Sequence, residues 1–115
     1  MPTLKVNMKF TQDWFSHNIS NIEYSVSQTD GVNKILEIGS YEGKSTCWFI
    51  ENLLPNGGEM VCIDAWQPTI EHQEMNEEVY KTFSDNLQKV EKPHHNIHVM
   101  IGNSYDCLAT LICCT

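Results

Sequence analysis

The chain has 115 residues, a hydrophobic fraction of 41%, and 15 acidic against 7 basic residues, for a formal net charge of −8. This length allows one small domain, and the hydrophobic fraction is typical of a packed core rather than a disordered segment. The charge argues against nucleic acid and anionic membranes as partners, since both require concentrated Lys and Arg. A small-molecule partner is the expectation.

The five cysteines do not form a recognisable disulfide framework, because their number is odd and no C-x-x-C pair occurs. Cys47 and Cys62 lie in apolar runs, where a free cysteine acts as a small hydrophobic residue. We find neither a signal peptide nor an apolar run long enough to span a bilayer. These features predict a cytoplasmic protein with reduced thiols.

Residues 1–30 are predicted to be an N-terminal helical segment, ahead of a second unit at residues 31–115. Thr11 is the expected N-cap, and residues 14–22 repeat apolar side chains at roughly helical spacing. This helix is expected to pack outside the sheet without a chemical role. The alternative is that it lines a substrate mouth. Residues 27–31 are a turn signal that leads to the first strand.

A short apolar run at residues 35–38 breaks at a glycine turn and continues into a helical pattern at residues 45–54. Such a run predicts a parallel strand that is buried on both faces. Gly39 and Gly43 bracket the turn, where the absence of a Cβ permits positive φ and close approach of a ligand. The first N–H groups of the helix would point towards that ligand.

Residues 59–64 form a second apolar run, which ends in Asp64. A carboxylate at the end of a buried strand costs free energy unless hydrogen-bond donors face it. Ribose hydroxyls are such donors, and an acid roughly 20 residues past a glycine turn is the arrangement that holds nucleotide-type cofactors in doubly wound folds. A helix cap or a surface acid is the simpler alternative.

The third strand–turn–helix pattern follows an amphipathic helix at residues 75–90. Residues 97–101 are predicted to be a strand, residues 102–104 a polar turn, and residues 105–112 a helix. The turn could meet a purine edge or simply cap the helix. Three histidines lie nearby, but no carboxylate or cysteine completes a ligand set, so no metal site is assigned.

Ligands of open α/β sheets bind outside the carboxyl ends of the strands, where all three turns are expected. The E-x-G-x-x-x-G pattern at Glu37, Gly39 and Gly43 resembles the first motif of class I S-adenosylmethionine-dependent methyltransferases. The runs ILEIGSYEGKST, VCIDAW and GNSYDCLATL are most similar to the small-molecule group, which includes catechol O-methyltransferase-like and phage or bacterial sugar-associated enzymes. The resemblance implies a Rossmann-like three-layer α/β/α fold, with the first three strands of a seven-stranded sheet.

The resemblance also implies S-adenosylmethionine as the cofactor, held by residues of the three turns. Those implied to hold the methionine part are Glu37, Gly39, Ser40, Tyr41, Gly43 and Ser45. Asp64 would accept from both ribose hydroxyls. Those implied to surround adenine are Ala65, Trp66, Gly102, Asn103 and Ser104. For Trp66, a place in the core is an equal alternative.

Two other nucleotide folds share part of this pattern. Lys44 and Ser45 follow Gly43 as in a P-loop, but only three residues separate Gly39 from Gly43 where a P-loop needs four. Asp64 would also suit a nicotinamide-binding unit, but this chain lacks the second glycine that lets pyrophosphate approach in such units. A cationic sulfonium tolerates the nearby acid better than either phosphate ligand.

Family members continue through further strands that supply much of the acceptor pocket. We therefore expect a half-domain that is truncated at its C-terminus, and we name no catalytic residue. An unpaired sheet edge would favour a homo-oligomer. A non-catalytic remnant or interaction subunit is the alternative to an active enzyme.

Overall fold

The computed structural model describes residues 7–70 and 72–113. The helices and strands alternate along the chain in the predicted order. They are a short 3₁₀ helix Ser16–Asn18, α1 Ile19–Ser27, β1 Lys34–Ile38, α2 Lys44–Leu53, β2 Gly58–Asp64, α3 Glu77–Val90, β3 His95–Ile101 and α4 Ser104–Cys113. The outer ends of the two predicted units, residues 1–6 and 114–115, lie outside the described residues, and the division at residue 30 stays a prediction.

The three strands form one parallel sheet in the order β1-β2-β3. Ile38 pairs with Ile63, and Asp64 pairs with Ile101, so the carboxyl ends of all three strands lie at the same edge. Each strand is followed by a helix, as parallel strands require a crossover. This arrangement confirms the predicted Rossmann-like α/β fold.

The core lies between the sheet and the pair α2 and α3. Met60 and Cys62 of β2 are fully buried against Ile50 of α2 and Phe83 of α3. The apolar positions of α3 recur every three or four residues, so one face of the helix reaches this core. Helix α4 lies on the opposite face of the sheet, where its Leu111 lines a groove with residues 34–36 of β1 and with Glu59 and Val61 of β2.

Strand β1 departs from its predicted burial. Leu36 is 49% exposed and Ile38 is 53% exposed, whereas Glu37 between them is buried. Helix α4 contacts β2 and reaches the outward face of β1 only at the groove that Leu111 lines with Leu36, so this face is partly covered. The apolar run therefore predicted the strand correctly but not the burial of both its faces.

The N-terminal helix begins later than its sequence pattern predicts. Thr11 is not its N-cap, because the Thr11 N–H and hydroxyl donate to the carboxylate of Glu42, at 2.8 Å each. The helical turn starts at Ser16, and Asp13 accepts from the Ser16 N–H at 2.8 Å. Hydrogen bonds with Ser16 lower the pKa of Asp13 to about 2. Thr11 therefore lies outside the helix, because it binds Glu42 rather than a backbone N–H of the first helical turn.

Candidate functional site

Backbone hydrogen bonds join the three turns that follow the strands. The Gly39 N–H donates to the Ile63 carbonyl at 2.7 Å, and the Gly102 N–H donates to the Asp64 carbonyl at 3.0 Å. Each bond continues the parallel pairing just past the end of a strand. The residues predicted from three separate motifs therefore lie along one edge of the sheet.

Glu37 is the internal support of the glycine turn. Its side chain is buried, and its two oxygens accept from the hydroxyls of Ser40, Ser45 and Thr46. Burial raises the pKa of Glu37 although these three hydroxyls oppose the change. The carboxylate ties the end of β1 to the turn and to the first turn of α2. Its contacts make it a scaffold for the site.

Asp64 holds two residues that have left-handed backbone conformations. Tyr41 has φ 50° and Trp66 has φ 49°, a region that non-glycine residues adopt at a cost. Asp64 Oδ2 accepts from the Tyr41 N–H, and Oδ1 accepts from the Trp66 N–H, each at 2.9 Å. A carboxylate oxygen accepts more than one hydrogen bond, so the half-buried Asp64 retains acceptor capacity for a ligand.

Gly39 and Gly43 have the same backbone conformation for different reasons. Their φ angles are 86° and 87°. A Cβ on Gly39 would meet nothing within 4 Å, whereas a Cβ on Gly43 would lie 3.0 Å from the Phe83 ring. Gly39 thus borders open space, and Gly43 allows α2 to pack on α3. Gly43 is also the N-cap of α2 and supplies no side-chain cap.

The structure places the Trp66 side chain in the core, which is one of the two places that the sequence left open. Its side chain is only 5% exposed, and its ring centroid lies 4.9 Å from that of Tyr80 and 4.8 Å from that of Phe83. Its indole N–H donates to the Tyr41 carbonyl at 2.8 Å. Trp66 therefore positions the glycine turn from below. Ala65 is half-buried, and the wall that these two residues would form beside adenine stays a prediction.

The third turn forms a helix cap at the site. Asn103 Oδ1 accepts from the Asp106 N–H, and Asn103 Nδ2 donates to the Asp106 carboxylate, both at 2.8 Å. Asn103 and Ser104 are nevertheless exposed, and Gly102 is half-buried beside Asp64. The capping role is observed, and a role at a purine edge stays a prediction.

Sequence reasoning missed a second polar network beneath the turn. The side chain of Asn86 is fully buried, accepts from the Lys9 N–H and donates to the Lys9 and Glu42 carbonyls, all at 2.9 Å. Glu42 is 4% exposed and accepts from Thr11. The sequence contained one indication of this network. Asn86 is a polar residue on the apolar face of α3, three residues after Phe83.

A cleft of about 170 Å³ opens between the glycine turn and the N-terminal residues. It is lined by Gln12, Trp14, Phe15, Gly39, Ser40, Tyr41, Glu42, Lys44 and Ser45. The Trp14 ring centroid lies 4.8 Å from that of Tyr41 and 5.4 Å from that of His72. The cleft therefore has the turn on one side and an aromatic wall on the other.

Lys44 does not have the surroundings of a P-loop lysine. Its Nζ lies 3.7 Å from Asp13 and 5.2 Å from the centroid of the Phe10 ring, so it is directed to the N-terminal residues. No group of three His, Cys, Asp or Glu side chains that could hold a metal ion occurs among the described residues. The helices in those residues are also too short or too polar to cross a membrane.

Comparison with known proteins identifies the family. A family model described as a methyltransferase domain matches residues 36–114, well over half of the chain. The match begins in β1 and continues through all three strand–turn–helix units. A search of curated proteins gave no significant match. The parallel sheet, the glycine turn and this match agree, and the chain belongs to the methyltransferase-domain family.

Proposed function

We propose that this chain binds S-adenosylmethionine at the carboxyl ends of its strands, as the cofactor-binding half of an enzyme that methylates a small molecule. The observation that carries the proposal is the pair of hydrogen bonds that the Asp64 carboxylate accepts from the N–H groups of Tyr41 and Trp66. It holds two costly backbone conformations beside Gly39, which borders open space. Strained residues of this kind concentrate at ligand sites.

The residues present fit this cofactor chemically. The remaining acceptor capacity of Asp64 suits ribose hydroxyls, which are donors. The hydroxyls of Ser40 and Ser45 already donate to Glu37, so the turn would offer mainly its backbone to the methionine part. The buried carboxyl of Glu37 disfavours a diphosphate and tolerates a cationic sulfonium. This balance favours a sulfonium cofactor over ATP or a nicotinamide dinucleotide.

S-adenosylmethionine supplies an electrophilic methyl group, and an acceptor nucleophile displaces the thioether in line. The contribution of the protein to such a reaction is chiefly alignment. In this chain, Asp64 and the glycine turn would fix the cofactor, while Glu37 and Trp66 support the turn from beneath. We assign no catalytic residue and no particular acceptor.

A calorimetric titration with S-adenosylhomocysteine tests the proposal, because that product lacks the reactive methyl group. The wild-type chain should bind it, and Asp64→Ala should lose about 1–3 kcal/mol of binding free energy, the scale of a charged hydrogen-bond partner. Asp85→Ala is the matched control, since Asp85 is an exposed acid on α3. ATP and NAD should give no heat under the same conditions.

A folded wild-type sample that does not bind S-adenosylhomocysteine would refute the proposal. Binding of ATP alone would favour a phosphate site in its place. Circular dichroism of each variant separates loss of a ligand contact from loss of the fold. Equal affinity of Asp64→Ala and the wild type would remove Asp64 from the site while leaving the cofactor assignment intact.

A second candidate is a non-catalytic interaction subunit, which the surface of β1 favours. Leu36 and Ile38 expose about half of their surface on an edge strand, and such edges promote association. Sedimentation of the wild type and of Leu36→Lys tests this role. An oligomer that Leu36→Lys dissociates would support it, and a monomeric wild type would count against self-association.

A further inference from the structure

Residues 7–15, here called the strap, lie across the glycine turn and contain no helix or strand. They also precede residues 36–114, which the family model matches. Asn86 binds both backbone groups of Lys9, and Lys44 lies 3.7 Å from Asp13. Between these two points, Thr11 binds Glu42. The strap is therefore held at three places along its length.

The middle attachment is made to the glycine turn itself. Glu42 lies between Tyr41 and Gly43, and its almost fully buried carboxylate takes both of its side-chain hydrogen bonds from Thr11. A buried carboxylate without donors is costly. Displacement of the strap would remove those donors, so the position of the strap and the conformation of the turn depend on each other.

The strap presents Trp14 to the cleft. Trp14 is 48% exposed, contacts the rings of Tyr41 and His72, and lines the cleft together with Gln12 and the turn. Because Thr11 and Asp13 are both anchored, this exposed ring has a defined place. An aromatic face beside a polar turn can contact an apolar chain, a sulfur atom or a cation.

We infer that Trp14 is the outer wall of the cofactor cleft and contacts the methionine end of bound S-adenosylmethionine. Glu42 and Asn86 are positioning residues, which act by holding the strap in place. This inference rests on the proposed function, which assigns the methionine part to the turn that Trp14 faces. It extends the site beyond the region matched by the family model.

Calorimetric titration of S-adenosylhomocysteine into wild type, Trp14→Leu and Trp14→Phe tests the contact. Trp14→Leu should weaken binding roughly three- to tenfold, the usual effect of losing an aromatic packing partner. Trp14→Phe should restore most of the affinity because it keeps a ring. Tyr24→Leu is the control, since Tyr24 is a 69% exposed aromatic residue on α1 and does not line the cleft.

Acrylamide quenching of tryptophan fluorescence provides a second readout. Ligand should reduce quenching in the wild type and leave it unchanged in Trp14→Phe, because Trp66 is already buried and the half-buried Trp48 does not line the cleft. Thr11→Val removes one donor from Glu42. It should increase quenching of Trp14 without ligand and weaken binding by a smaller factor than Trp14→Leu.

The outcomes separate the inference from the function on which it depends. A wild type that does not bind S-adenosylhomocysteine refutes the proposed function and the inference together. Binding by the wild type with equal affinity in Trp14→Leu refutes only the contact with Trp14. Unchanged quenching and affinity in Thr11→Val refute the positioning role of Glu42.

Discussion

Glu37 and Asp64 end neighbouring strands at the same edge of the sheet, yet their surroundings differ. Glu37 is buried beneath three hydroxyls and has a raised pKa, with burial as the main cause. Asp64 is half-buried and accepts from two backbone N–H groups. A carboxylate with donors on every side is a structural support, whereas one with open acceptor sites can bind a ligand.

Replacement of Glu37 should have the largest effect on stability. Glu37→Ala leaves the hydroxyls of Ser40, Ser45 and Thr46 without their acceptor. We expect a loss of about 2–4 kcal/mol in the free energy of unfolding, measured by urea titration. Glu51→Ala, at an exposed acid of α2, is the control and should change little. A loss of less than about 1 kcal/mol would contradict the role of support.

The Asn86→Ala replacement tests whether the buried polar network of Asn86, Lys9 and Glu42 also stabilises the fold. The substitution leaves the Lys9 N–H and the carbonyls of Lys9 and Glu42 without a partner. We expect a loss of about 2–3 kcal/mol and faster hydrogen exchange at Lys9 and Thr11. Gln88→Ala, on the exposed face of α3, should leave both measurements unchanged. Unchanged exchange at Lys9 would separate Asn86 from the strap.

Asp64→Asn should weaken ligand binding and also destabilise the turn. The amide keeps the size of the side chain, but its NH2 group faces one of the two backbone N–H donors, which loses its acceptor. The free energy of unfolding should therefore fall by about 1–3 kcal/mol. Affinity for S-adenosylhomocysteine should fall by about 1–2 kcal/mol, because an amide is a weaker acceptor than a carboxylate. A variant that loses stability but keeps its affinity would show that Asp64 is a structural support, like Glu37, and does not bind the ligand.

The pH dependence of stability should show the smallest effect. Because burial raises the pKa of Glu37 above 4.5 in the folded state, the folded chain binds this proton more tightly than the unfolded chain. The contribution of Glu37 to stability is therefore greatest below pH 4.5 and declines as pH rises through the raised pKa. Unfolding of the wild type and of Glu37→Gln between pH 4 and 8 tests the sign. The stability of the wild type relative to Glu37→Gln should fall with pH, and a rise would contradict the raised pKa.

Trp66 and Trp14 show that sequence patterns do not determine the surroundings of a side chain. The sequence left two places open for Trp66, beside adenine or in the core, and the structure packs its indole in the core against Tyr80 and Phe83. Trp14 was predicted to lie on a helix, with a substrate mouth as the less favoured role, yet it precedes the helix and lines the cleft. The side-chain direction of a left-handed residue such as Trp66 and the contacts between distant segments are not encoded in local spacing.

The sequence by itself determined the order of strands and helices, the glycine turn and the placement of Asp64, because apolar periodicity and glycine geometry are local properties. Tertiary structure decided that Glu37 is a buried support, that Thr11 binds Glu42 instead of capping a helix, and that Asn86 holds Lys9. Thr11 and Asn86 bind partners 31 and 77 residues away, and the burial of Glu37 depends on the packing of helices against the sheet. Because an unpaired buried polar group is costly, these contacts are fixed only when the chain folds.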